Sequence, residues 1–257
     1  MAADNRTIYE TYDPRARNPL RHFSAGVRFF FAGLRMLAHH PSLVGLSILP
    51  ILLTLIALLG LVISCVWVAG RLLGGAFLPF GGQLLIFAQA VILLLAFFFS
   101  YLIYLPLARI LLAPFSEAIS RRTHLIVVGE GRIPEVRGWG RAILEGAKLV
   151  AFQAVIAIIA IVIGLIFPPI AGPLGVAVTV SFVCLDFMDV PLAVRGRKLG
   201  EKLRYILNCK MLALGFGAAG YLLLIIPFVN LLALPVGVIG ATLLVASRER
   251  EIPAPKR

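Results

Sequence analysis

IIPFVNLLALPVGVIGATLL, residues 225–244, carries no charge, yet Pro227, Asn230 and Pro235 interrupt it. A continuous apolar helix does not place two prolines and an amide so close together, because each interior proline removes a helix hydrogen bond. A turn does. The stretch reads as the tip and return leg of a helical hairpin. Residues 211–226 form an outgoing leg of 16 residues, and residues 236–247 a return leg of 12. A 16-residue helix is about 24 Å long, short of the roughly 30 Å hydrocarbon core of a bilayer. Such a hairpin enters the membrane and turns back. Irregular backbone at membrane depth is stable only where protein or water satisfies its polar groups. Pro227 and Pro235 bound the turn, and Asn230 caps backbone groups inside it.

Upstream, the pattern repeats. Residues 149–167 are apolar, PPIAGP (168–173) breaks the run, and residues 174–185 return before Asp186. Both tips end in P-x-G-V. Paired short segments interrupted by Pro and Gly point to a transport site. Residues 41–70 and 83–107 are longer, and the first contains 29 consecutive uncharged residues from Ser42. About 20 residues suffice to cross, so both are full spans. The chain of 257 residues is 60% hydrophobic and 14% charged, with mean hydropathy +0.99, which excludes a water-soluble globular domain. The expected fold is an all-α integral membrane protein. It has two full transmembrane helices, two short-legged re-entrant helical hairpins and a basic N-terminal interfacial helix. Residues 1–20 are expected to be a disordered polar tail, 21–247 a single membrane domain, and 248–257 a C-terminal tail. The polar, basic first 40 residues do not have the form of a cleavable signal peptide.

Basic residues orient this arrangement. Of the 24 Lys and Arg, 23 lie in the N-terminal 41 residues, in 109–148, in 186–210 or in the C-terminal tail, and only Arg71 falls elsewhere. The positive-inside rule places those four regions, with both termini, in the cytoplasm and the hairpin tips on the other side. The net charge of +12 then faces anionic lipid headgroups. No nucleic-acid-binding module is visible, so nucleic acid is not the expected partner. Cys65, Cys184 and Cys209 are far apart, which indicates neither a disulfide framework nor a zinc site.

In RHFSAGVRFFFAGLRMLAHHPSL, Arg21, Arg28 and Arg35 recur every seven residues and share one helix face. Two readings fit: arginines that meet lipid phosphates, or a forked donor that binds an oxyanion. His39 and His40 have no acid or histidine at ligand spacing, so no metal is expected. Asp186 and Asp189 share a face three residues apart. They suit Mg²⁺ held for lipid-phosphate chemistry, or pairing with Arg195, Arg197 or Lys198. The absence of a second acidic cluster favours pairing, and no catalytic residues are assigned.

The segments FFAGLRMLAHHPSLVGLSILPILL, LLAPFSEAISRR, the D-V-P of residues 189–191 and, above all, IPFVNLLALPVGVIGATLL resemble the CysZ family, whose domain is shared with the etoposide-induced proteins. The resemblance covers about residues 22–247. It implies an oligomeric bacterial inner-membrane protein that admits sulfate for cysteine synthesis, with two full spans and two half-inserted hairpins. It also implies that the G-L-R motif, here Gly33, Leu34 and Arg35, binds the anion. Family members often carry acids after the A-P-F segment. Here Arg121 and Arg122 follow, and Glu117 is the only nearby acid. No nucleotide-binding loop is present, so neither ATP nor another cofactor is expected. The expected function is a permease or channel for a small oxyanion, with Gly33, Leu34 and Arg35 binding it and Asn230 lining the path. The alternative is a non-transporting, membrane-organising protein that holds lipid or a partner.

Overall fold

A computed structural model describes residues 18–75, 82–129, 139–226 and 229–249. All regular structure among them is helical: α1 (Pro19–His39), α2 (Pro41–Gly75), α3 (Gly82–Val128), α4 (Trp139–Ile166), α5 (Pro168–Val194), α6 (Leu199–Leu207), α7 (Lys210–Ile225), a 3-10 turn (Val229–Leu232) and α8 (Ala233–Arg248). They fall into two compact units. One comprises Met1–Ser47 with Phe115–Arg257, and the other Ile48–Pro114.

Three segments are long and apolar enough to cross a membrane: Pro41–Ser64, Leu144–Ile166 and Pro168–Val194. A fourth arises if α6 and α7, bent by 98° at Asn208 and Cys209, count as one broken span. The first span agrees with expectation. The second, at 83–107, lies within α3, whose helix continues through the segment expected as a loop to Val128. Gly129 ends it with φ +88°, a left-handed conformation that favours glycine.

The first hairpin departs from the sequence reading. Its return leg is not 12 residues but the 27 of α5, and α4 has 28. The PPIAGP run is not a loop: Phe167 alone forms the bend, and Pro168 opens α5. Proline costs nothing in a first turn, whose amides have no helical acceptor. The second hairpin follows expectation more closely. α7 and α8 have 16 residues each, joined through the 3-10 turn, while Pro227 and Phe228 lie outside the described residues.

Local chemistry sets the entry to the fold. Asn18 caps α1, its Oδ1 accepting from the Leu20 amide at 3.0 Å, and Pro19 follows at the first helical position. His40 is extended, as a residue before proline prefers, and α2 starts at Pro41.

In the first unit α8 is the core. Every residue from Pro235 to Ala246 is buried, as suits a helix that is apolar all round. α1 and α5 pack on both α7 and α8, and α4 packs on α5. Phe30, Phe187 and Phe216 bring α1, α5 and α7 together, with ring centroids 5.4–6.3 Å apart. In the second unit Ile56, Leu59 and Ile63 are about 60% exposed, an outward apolar face that suits lipid and not water.

Helices cross closely where glycine removes the side chain. A Cβ on Gly215 would lie 2.0 Å from the Phe23 carbonyl oxygen, and one on Gly26 would lie 2.1 Å from that of Leu212. Gly215→Ala is therefore expected to destabilise the detergent-solubilised protein by roughly 1–3 kcal/mol, despite alanine's better helix propensity. At Gly175 a Cβ meets nothing within 4 Å, so Gly175→Ala should be neutral or stabilising. Thermal unfolding of the two variants checks the contrast, and equal melting temperatures would contradict the crossing.

Candidate functional site

α1 is more than an interfacial helix. Gly26, Phe29, Phe30, Ala32, Gly33, Met36 and Leu37 form its buried face, and Arg21, Arg28 and Arg35 are exposed on the other. Leu34 is half-buried at the core's edge. A Cβ on Gly33 would lie 2.5 Å from the Val236 carbonyl oxygen and 2.7 Å from the Gly240 nitrogen. The space left by the absent side chain is thus filled by α8. Gly33 also lies in the body of the helix, where amides donate to the preceding turn. Of the G-L-R motif, the Arg35 side chain is the exposed element. The His39 ring Nδ1 lies 2.8 Å from the Arg35 carbonyl oxygen and donates to it.

The direction of this contact matters. Phe29 and Phe30 meet Gly240, whereas Gly33 meets both Gly240 and Val236. α1 and α8 therefore run antiparallel here. Arg35 lies toward the start of α8 and its 3-10 turn, not toward the basic end of α8. The turn contains Asn230, whose side chain lies outside those described.

The acidic residues have partners other than the expected ones. Asp189 pairs with Lys202 at 2.6 Å, and Asp186 accepts from the Gln153 amide at 2.8 Å. Arg195 and Arg197 pair with Glu249 instead. The Leu199 amide, at the start of α6, donates to Glu145 at 2.9 Å. These links tie α4, α5 and α6 together. Lys202 is almost fully buried, and nothing local in the sequence marks it out. Among the described residues, no group of three His, Cys, Asp or Glu side chains is placed to hold a metal.

At the other end of α8, the Arg248 and Arg197 guanidiniums lie 4.6 and 5.1 Å from the Tyr205 ring centroid. Burial pushes the Tyr205 phenol well above its ordinary range, so it keeps its proton and can only gain by donating it. Sequence reading missed this group because its members are up to 53 residues apart.

The family model described as Sulfate transporter CysZ/Etoposide-induced protein 2.4 matches residues 29–235. The chain belongs to this family. It is similar to the sulfate transporter CysZ of Pseudomonas aeruginosa (strain LESB58), 30% identical over 156 residues, which cover 56% of this chain and 62% of that protein. The CysZ of Pseudomonas fluorescens (strain SBW25) is 32% identical over 148 residues, covering 53% and 57%. That of Pseudomonas syringae pv. tomato is 29% identical over 165 residues, covering 60% and 62%. The match spans about three fifths of the length of these curated relatives. The CysZ assignment makes the chain a multi-pass membrane protein from a family of transporters, not of enzymes.

Proposed function

We propose that the chain is an inner-membrane permease or channel for a small oxyanion, sulfate by family, supplying sulfur assimilation. The observation that carries this reading is the antiparallel contact between α1 and α8, which directs the exposed Arg35 toward the broken turn at the start of α8. With both termini cytoplasmic, α7 and α8 form a half-inserted hairpin whose legs are too short to cross. Arg35 then lies at membrane depth, not at the headgroups. An ionisable residue at that depth is expensive, and its usual function is to serve an ion path. The Arg35 guanidinium binds the anion, Gly33 and Leu34 seat α1 so that it can, and Asn230 lines the route. α4 and α5 have the length to span fully, so this architecture has one re-entrant hairpin and one complete one. The rest of the exposed apolar surface meets lipid and further copies of the chain in a homo-oligomer, with the outer arginines on anionic headgroups.

Flux of isotopic sulfate into proteoliposomes containing the full chain tests the reading. Chain-dependent uptake without ATP is expected. Uptake equal to that of protein-free liposomes, with the protein folded and inserted, would leave the membrane-organising alternative.

A further inference from the structure

Three arginines and a tyrosine converge on one carboxylate at the end of α8. Arg195 Nε lies 3.1 Å from Glu249 Oε2, and Arg197 Nη2 binds Oε1 of the same group. Arg195 is largely buried and also donates from Nη1 to the Pro191 carbonyl at 3.0 Å, which fixes its fork. Arg248 donates to the Tyr205 carbonyl at 3.2 Å and to that of Asn208 at 3.4 Å, with its plane over the Tyr205 ring. The Tyr205 hydroxyl is buried and has no hydrogen-bond partner among the described residues. Leaving a buried hydroxyl unmet costs stability, so this donor is set for a ligand or a solvent molecule.

Glu249 is poorly placed for its own sake. It is the C-terminal cap residue of α8, where the helix dipole is negative and repels a carboxylate. Only the guanidiniums hold it there. A carboxylate that takes one donor on each oxygen occupies the position of one edge of a tetrahedral oxyanion, and the oxyanion has two more oxygens to offer. We propose that Arg195, Arg197, Arg248 and Tyr205 form a second oxyanion site, for sulfate, phosphate or a phosphate headgroup, which the Glu249 carboxylate fills in the ligand-free chain. Two of the oxyanion's oxygens replace those of Glu249, a third takes the Tyr205 hydroxyl, and Arg248 supplies charge beside it. The site lies at the opposite end of α8 from Arg35 and does not rest on the transport reading.

The test uses the full chain in detergent carrying Arg35→Ala, so that the first proposed site is silent. Melting temperature is measured against sodium sulfate, sodium phosphate and dihexanoyl phosphatidic acid, each compared with sodium chloride at matched ionic strength. Glu249→Gln removes the internal competitor and should tighten oxyanion binding about tenfold. Tyr205→Phe, with Glu249 intact, should weaken it roughly three- to tenfold. It also serves as the test should Glu249→Gln not fold. A shift with the inorganic ions identifies a free oxyanion as the ligand, and a shift with the lipid alone identifies a headgroup. Shifts no larger than those with chloride, or shifts that Tyr205→Phe leaves unchanged, would overturn the site.

Discussion

Asp189→Ala is expected to be among the most destabilising single substitutions in the chain. Asp189 is the printed partner of the Lys202 ammonium, 2.6 Å away, and Lys202 is 2% exposed. Removing the carboxylate strands a charge that the fold has already taken out of water. Breaking a buried pair in this way typically costs about 3–5 kcal/mol. Replacing both groups at once, with Asp189→Leu and Lys202→Met, should recover most of the loss, because well-packed apolar groups often match or exceed a buried ion pair. Thermal unfolding in detergent of the two single variants and the double variant reads the effect. Equal melting temperatures for Asp189→Ala and the parent would show that Lys202 is held by something else. The same pair bears on function. The lipid-phosphate enzyme considered from sequence needs Asp186 and Asp189 together on a metal, whereas here they point to different partners, Gln153 and Lys202.

How much of this was legible beforehand depends on the range of each interaction. The class followed from composition, because long uncharged runs have only one stable environment. The α7–α8 hairpin was legible because its prolines fall inside an apolar run, where they must break it. PPIAGP misled for the complementary reason. The same residue that breaks a helix interior begins a helix at no cost, and the sequence does not say which side of the bend a proline occupies. The arginine stripe was legible from its period of seven, and its exposure agrees. The role of Gly33 was not. A glycine beside an arginine reads as room for an anion, and only the tertiary contact with Val236 and Gly240 reveals it as a seat for α8. Lys202, Tyr205 and Glu249 gave no signal, since each takes its meaning from a partner 13 to 52 residues away.

Arg35→Ala should weaken sulfate binding by about ten- to a hundredfold, the loss expected for one charge-assisted hydrogen bond. The argument is comparative. Arg21, Arg28 and Arg35 lie on one exposed face of α1, and if that face only met headgroups the three would be nearly interchangeable. The α1–α8 contact separates them. Arg21 lies before the crossing of Gly26 over Leu212, near the start of α7, while Arg35 lies beyond the crossing of Gly33 over Val236. Successive crossings carry the stripe from the basic end of the α7–α8 hairpin toward its turn. Arg21→Ala should therefore barely change sulfate affinity, and Arg28→Ala should fall in between. Arg35→Lys keeps the charge and loses the fork, so it should retain binding weaker than the parent and stronger than alanine. The substitution does not disturb the buried face of α1, so the melting temperature should hold while affinity falls. Calorimetric titration of sulfate into each variant, with Tyr205→Phe present throughout to weaken the second site, gives the ranking. Equal affinities for Arg21→Ala and Arg35→Ala would return Arg35 to a lipid-facing role and remove the binding residue from the permease reading.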